Sequence, residues 1–379
     1  SEEERQSLLA KSQYNFARLS LGNQGSEKNT AERNYEKAAA LIGEWLEAGI
    51  FEREEKPAFY VYREDYELEG QKISRTGFFC LLRLEKFENG NVLPHEKTLP
   101  KPKADRLNLL EATKCDLEPI WLLFEERGWE ASKVLESAAQ ESPEIDFVDE
   151  GKRRHRLWAL KEESAVKQLQ ESMRCSRMFI ADGHHRYETA MNFSEKEKTP
   201  ESKYKMVYAL STKSPGLKIL PTHRGIIKAC PNFIERLSEL FRIEEVSEQE
   251  MLKAVGIAGK TAFGLLFQGK FRILRPKPEA AALLQEKPAV LRELPTFALD
   301  SLVFQKALGT GLDNIAFEKS RERLVQRVKA GELEAAFFVQ PTSISQFEQV
   351  SIQGQVMPQK STFFYPKPLS GLVFYKLYG

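Results

Sequence analysis

Apolar side chains recur along this chain at two spacings, and each change of spacing marks an element boundary. Tyr35, Ala38, Ile42 and Trp45 repeat every three or four positions after Asn29-Thr30 and before Gly49, which predicts a scaffold helix with a glycine stop. From Ala58 to Tyr62 and from Gly77 to Leu84 the pattern becomes alternating or continuous. The turn pair Asn89-Gly90 follows, so these runs read as a hairpin-like pair of strands. Prolines at 94, 100 and 102 interrupt the stretch from Leu93 to Lys103, which is expected to be a loop feeding a helix that begins near Ala104. Helical spacing returns from Lys161 to Met173. Met178-Phe179-Ile180-Ala181 then reads as a short buried strand, and the chain turns at Asp182-Gly183 into a helix starting near His185.

Beyond Pro221, Asn232 to Phe241 has helical spacing, Thr261 to Phe267 and Phe271 to Leu274 read as strands, and Gln285 to Thr296 as a surface connection. There is no internal repeat and no low-complexity segment. The alternation predicts an α/β or mixed α+β fold. A soft boundary near Lys228 divides a catalytic lobe, 1–228, from a C-terminal α+β lobe, 229–379, which can return to pack on the site.

Composition narrows the class. With 379 residues, 41% of them hydrophobic, the chain can bury a full core and fold as two lobes. Its 56 Lys and Arg nearly cancel its 55 Asp and Glu, so there is no overall field to draw nucleic acid or an anionic membrane, and any anion must be held locally. Cys80, Cys115, Cys175 and Cys230 form no Cys-x-x-Cys pair, which argues against a zinc knuckle and a disulfide framework and favours a reducing compartment. The first residues lack the pattern of a signal peptide, and no window approaches the roughly 20 apolar residues of a membrane span. The expected location is the cytoplasm.

The candidate chemistry lies in short polar clusters, which hold all five histidines: His95, His155, His184, His185 and His223. The strongest is the strand-turn-helix Ile180-Ala181-Asp182-Gly183-His184-His185-Arg186. Gly183 permits close backbone approach, the helix start offers amide donors to an anion, Arg186 adds a fork for phosphate oxygens, and His184 or His185 adds a further donor. Asp182 would repel a bare phosphate, so it is cast as a ligand through Mg²⁺ or as a holder of a substrate hydroxyl or amine. The plainer alternative is a tight turn whose aspartate caps the helix. Adjacent His184 and His185 make a poor chelating pair, and although His184 and Glu188 have i, i+4 spacing, a zinc site ranks below a phosphate site.

His95-Glu96-Lys97-Thr98 forms a second cluster, in which Glu96 is a candidate general base and Lys101, Lys103 and Arg106 add positive charge. A solvated charged loop is the alternative. Pro221-Thr222-His223-Arg224 and Lys360-Ser361-Thr362 each join hydroxyl and basic groups, for anion contact or for structure. His155, within Arg153-Arg154-His155-Arg156, is best read as an ordinary surface or hydrogen-bonded histidine.

Leu93-Pro94-His95-Glu96-Lys97-Thr98 with Asp105-Arg106-Leu107, Ile180 to Tyr187, Gly216-Leu217-Lys218-Ile219-Leu220-Pro221-Thr222-His223-Arg224 and Met357 to Lys367 together resemble the family known as domain of unknown function 1015. Members usually begin with a further segment around Pro-Pro-Tyr-Asp, which is not found before Ser1, so residues that complete the site are expected to lie outside this numbering. The pairing of His-Glu with Asp-Gly-His-His-Arg is also similar to the free serine kinases of the ParB and sulfiredoxin superfamily. That likeness implies a ParB/sulfiredoxin-like core with a large insertion and a second α+β lobe.

The resemblance implies a phosphotransferase acting on serine or a similar small hydroxylated metabolite. Glu96 takes the hydroxyl proton, the turn from Asp182 to Arg186 clamps the phosphate, Mg²⁺ bridges it to Asp182, and Lys103 or Arg106 stabilises charge. His95, Thr98, His223, Arg224 and Lys360 join the phosphate- or substrate-binding candidates. ATP or ADP is a candidate donor, although no Gly-x-x-x-x-Gly-Lys-Ser/Thr loop is present. The same cradle also suits a phosphatase on a phosphoester such as phosphoserine, or a non-catalytic protein that binds a phosphorylated ligand or nucleotide. The expected partners are a small-molecule substrate and a nucleotide, with neither nucleic acid nor membrane.

Overall fold

The structure, a computed structural model, describes residues 2–20, 28–98, 100–257 and 261–378, and of residues 2–5, 28–33 and 100–103 the backbone only. The fold is mixed α+β and divides into two compact units, 1–217 with 366–379, and 218–365.

In the first unit, β1 (Phe59–Leu68) and β2 (Gln71–Arg83) form an antiparallel hairpin. Glu69 and Gly70 at its tip have φ of 52° and 76°, the positive values that a tight two-residue turn needs. The apolar pattern revealed only the half of each strand farther from the turn. Towards the turn the strands run through charged residues that pair across the ladder: Glu64 stands opposite Arg75, and both side chains are fully buried.

Further along lie β3 (Val92–Leu93), β4 (Cys115–Asp116), β5 (Ile120–Phe124), β6 (Ile145–Val148), β7 (Arg154–Leu160), β8 (Met178–Asp182) and β9 (Tyr204–Ser211). All but β4 join one eight-stranded sheet in the order β3-β8-β5-β9-β2-β1-β7-β6, parallel at β3/β8 and β5/β9. The helices are α1 (Glu2–Lys11), α2 (Ala17–Ser20), α3 (Lys28–Glu47), α4 (Pro100–Thr113), α5 (Glu130–Ala138), α6 (Glu163–Met173) and α7 (His184–Glu197).

Alternation along the strands places Ile120, Leu122, Ile180 and Val207 in one cluster with Tyr187 of α7, and Val61, Phe78 and Ala209 in another with α5 and α6. The expected stripe Tyr35, Ala38, Ile42 and Trp45 is buried on α3 against Leu109 of α4. Each large aliphatic side chain buried in this way contributes roughly 1.5–3 kcal/mol. Helix α4 begins at Pro100, earlier than the expected start near Ala104. Pro100 and Pro102 fall in the first turn, where amides have no intrahelical partner to lose.

The second unit contains β10 (Lys218–Ile219), β11 (His223–Ile226), α8 (Phe233–Leu240), β12 (Phe241–Val246), α9 (Glu248–Val255), β13 (Phe263–Phe267) and β14 (Lys270–Pro276). There follow α10 (Pro278–Ala282), α11 (Ala289–Arg292), α12 (Pro295–Ala298), a π-helical stretch Leu299–Leu308, β15 (Ile315–Glu318), α13 (Arg321–Lys329), β16 (Ala335–Phe338), α14 (Ile344–Ile352) and β17 (Phe364–Tyr365). Six strands make an antiparallel sheet, β12-β14-β13-β16-β11-β15, with hydrophobic clusters on both faces.

Gln285 to Thr296 is exposed from Gln285 to Ala289, as a surface connection would be, but it is not without structure. It carries α11 and the start of α12 and buries Leu291, Leu294 and Thr296, in helical pieces too short to show a period. The boundary expected at Lys228 falls inside this second unit. Entry and exit of the unit run side by side, since β10 pairs with β17. The chain then returns to the first unit, where β18 (Tyr375–Lys376) pairs with β4. Among the described residues no helix is long and apolar enough to cross a membrane.

Candidate functional site

Strand β8 delivers Asp182 to the head of α7, and Gly183 makes the turn with φ 103° and ψ 27°. A Cβ at Gly183 would lie 2.9 Å from both Nε and Nη2 of Arg186. The backbone conformation therefore demands glycine there, and a Cβ would also push the Arg186 guanidinium aside. The cap position carries no side-chain oxygen for the first-turn amides, whose dipole end favours an anion.

Arg186 folds back over this turn. Its Nη2 donates to Asp182 Oδ2 at 2.9 Å and its Nη1 to Glu118 Oε2 at 3.1 Å, while Arg106 Nη1 lies 3.4 Å from the same Glu118 oxygen. Lys367, on the returning C-terminal segment, donates Nζ to Asp182 Oδ1 at 2.8 Å. Three cations, Arg186, Arg106 and Lys367, thus face two carboxylates, Asp182 and Glu118, and the surplus is positive. Asp182 and Lys367 keep 35% and 55% of their side chains exposed, so this pair is open to solvent.

The Glu96 loop is fastened to the same helix on both sides of Glu96. His95 N–H donates to His184 Nε2 at 3.2 Å, and His95 Nδ1–H donates to Ile180 O at 2.9 Å. Beyond Glu96, Thr98 Oγ1 donates to Glu188 Oε2 at 2.7 Å. Both imidazoles are buried, with ring centroids 4.6 Å apart. Burial pushes His95 down to about 4, and burial, with the neighbouring His95 and His185, holds His184 well below the usual histidine range. Glu96 and His185 are half-buried. Lys103 belongs to α4, but its side chain lies outside the described residues.

Behind Arg186, buried Lys205 pairs with Asp116 and donates to Glu118 O at 2.9 Å. Asp116 Oδ2 also accepts Met206 N–H at 2.7 Å. Burial lowers the Lys205 ammonium, and the Asp116 charge opposes that shift. Arg106, Glu118, Arg186, Thr189 and Lys205 line a cavity of about 50 Å³. Small-molecule pockets are commonly some 300–1,000 Å³, so this cavity cannot hold a nucleotide.

Both oxygens of Asp182, the expected magnesium ligand, face cations here, and among the described residues no group of three or more His, Cys, Asp or Glu side chains is placed to hold a metal ion without phosphate ligands. Glu188, the i, i+4 partner of His184, accepts from Thr98.

His223, Arg224 and Lys360 belong to the second unit. Arg224 is buried and donates Nη1 to Thr222 O and Nη2 to Lys360 O at 3.3 Å, which ties the two clusters together through main-chain carbonyls. His223 Nδ1 accepts Val339 N–H at 3.3 Å, and burial, reinforced by Arg224, pushes this imidazole down to about 4. His155 is a buried, hydrogen-bonded histidine held by Tyr62 Oη at 2.7 Å and Asp149 at 3.2 Å. Glu118 and Lys367 escaped the sequence reading. Glu118 stands in no motif, and Lys367 ends the Lys360 to Lys367 segment, whose aromatic residues Phe363, Phe364 and Tyr365 favour a core-lining strand over a phosphate contact.

The model of the family described as protein of unknown function DUF1015 matches residues 1–297. The chain belongs to that family. No curated protein matches this DUF1015 sequence. Among solved structures, the DUF1015 chain is distantly similar to a free serine kinase in complex with AMP, at 14% identity over 76% of this chain and 86% of that one, TM-score 0.39. A conserved hypothetical protein from Pyrococcus furiosus matches at 15% identity over 77% and 94%, TM-score 0.39. SbnI from Staphylococcus aureus, truncated at its C-terminus, matches at 12% identity over 76% and 82%, TM-score 0.39. These likenesses concern the fold alone.

Proposed function

We propose that this DUF1015 chain is a small-molecule kinase that moves a phosphoryl group from ATP or ADP to serine or a similar small hydroxylated metabolite. The observation that carries the reading is the arrangement at the head of α7, where Arg186 and Lys367 flank Asp182 on a glycine turn and Glu96 follows, in a loop fastened to the same helix on either side.

Phosphoryl transfer needs positioning and charge neutralisation more than covalent help. Glu96 accepts the hydroxyl proton as the acceptor oxygen bonds to phosphorus and the donor's bridging P–O bond breaks. Arg186, Lys367 and the first amides of α7 meet the charge that develops on the phosphoryl oxygens. Asp182 spaces the two cations until phosphate takes its place. In this reading His95, His184 and Thr98 hold the Glu96 loop and do not touch the phosphate. His185 and Arg106 add donors at the rim, and the reaction asks nothing of His223, Arg224 or Lys360.

Titration calorimetry with AMP and ADP tests the binding half of the proposal. Saturable binding is expected, and Arg186→Gln and Lys367→Gln should each weaken it about tenfold or more, the scale of one hydrogen bond between charged groups. Equal affinity in all three proteins contradicts the proposal.

A further inference from the structure

One face of the sheet in the first unit carries polar and aromatic side chains where a core would be expected. Across it, Asp182 on β8 is paired with Trp121 on β5, Trp121 with Tyr208 on β9, and Tyr208 with Phe79 on β2. Gly77 and Arg75 precede Phe79 at alternate positions and therefore share its face. On β1, Tyr62 stands opposite Gly77 and Glu64 opposite Arg75.

Three donors in this row have no acceptor. Arg75 gives Nη2 to Glu64 Oε2 at 2.5 Å, but its Nε and Nη1, like the Tyr208 hydroxyl, are sealed from solvent with no hydrogen-bond partner among the described residues. The guanidinium lies 4.6 Å from the centroid of Trp121 and 5.9 Å from that of Tyr208. Two glycines make room for the group. A Cβ at Gly77 would come within 2.7 Å of the Tyr208 ring, and one at Gly216 within 2.4 Å of Arg75 Cβ.

Buried donors without acceptors are rare in folded proteins, because each forfeits the hydrogen bond it made to water. Two of these three donors sit on the Arg75 guanidinium, and the unmatched acceptor of the row, Glu64 Oε1, faces Arg153 Nη1 at 3.5 Å. The complement to such a set is an oxyanion. Trp121, over which the guanidinium lies, is paired with Asp182 and so links this set to the turn assigned to the phosphoryl group.

We propose that Arg75 and Tyr208 form a subsite for a carboxylate on the phosphoryl acceptor, with Trp121 beneath it. The inference rests on the kinase reading and narrows its substrate to a small hydroxylated carboxylate, bound with its hydroxyl towards the head of α7.

The test is titration calorimetry with acetate, glycolate, L-serine, L-serinamide and inorganic phosphate. At least one carboxylate binds saturably, L-serinamide binds about tenfold or more weaker than L-serine, and Tyr208→Phe weakens carboxylate binding by a similar factor, the loss of one charged hydrogen bond. That variant should keep its melting temperature, since the hydroxyl has no partner in the fold to lose, and Arg75→Lys should weaken binding further. The subsite is overturned if no carboxylate binds, if Tyr208→Phe binds like the parent, or if phosphate is the anion lost in that variant. AMP binding that depends on Arg186 without carboxylate binding removes the subsite alone. Carboxylate binding through Tyr208 without phosphoryl transfer to any hydroxy acid keeps the subsite and removes the kinase reading.

Discussion

His95 and His184 meet edge to face inside the first unit, and the backbone N–H of one is held by the ring of the other. The accepting nitrogen, His184 Nε2, must be unprotonated, so the contact that docks the Glu96 loop exists only while that imidazole is neutral. A histidine whose folded pKa lies below its unfolded value of 6.5 stabilises the fold above pH 6.5 and loses that contribution as pH falls towards the folded value. With His95 at about 4, the loss at pH 5 is about 2 kcal/mol from this residue alone. Urea midpoints at pH 7 and pH 5 should differ accordingly, and the difference should shrink in His95→Asn. A midpoint that does not move over this range contradicts the buried neutral pair.

Gly183→Ala places a Cβ against the Arg186 guanidinium in a backbone conformation that alanine resists. A cost of about 1–3 kcal/mol is expected from the strain, together with displacement of Arg186 from Asp182. Thermal melting reads the first effect and AMP affinity the second. An alanine variant that keeps both parental values shows that the turn does not need glycine.

Asp116→Asn removes the charge that compensates buried Lys205. Breaking one side of a buried ion pair typically costs about 3–5 kcal/mol, whereas the more exposed Asp182–Lys367 pair is worth no more than about 1 kcal/mol. Chemical denaturation of Asp116→Asn and Lys367→Ala should therefore separate the two. Similar losses in both would mean that Lys367 supports the fold and is not held ready for a ligand.

Much of this architecture was legible because burial wrote a period into the chain. The stripe from Tyr35 to Trp45, the run from Met178 to Ala181 and the turn at Gly183 all stand where the sequence places them. What stayed hidden obeys a different logic. The turn-proximal halves of β1 and β2 bury charges in pairs such as Glu64 and Arg75, so they carry no apolar alternation. Four of the five histidines, all drawn from polar stretches, are buried: His95, His155, His184 and His223. Their neighbours in sequence are polar, but their neighbours in space are strands. Lys367 reaches Asp182 across 185 positions, a pairing made only when the chain returns to the first unit, which no local pattern records.

The central claim is phosphoryl transfer with Glu96 as base, and phosphorus NMR tests it most directly. The protein is incubated with ATP or ADP, Mg²⁺ and L-serine, and the spectrum is compared with that of Glu96→Gln. A phosphomonoester resonance that grows with the parent protein and falls by about a hundredfold or more in rate with Glu96→Gln is the predicted result, the usual scale for losing a general base. If the ester forms equally fast with Glu96→Gln, or if no hydroxylated acceptor yields a phosphomonoester while AMP still binds, the protein is not a kinase of this design.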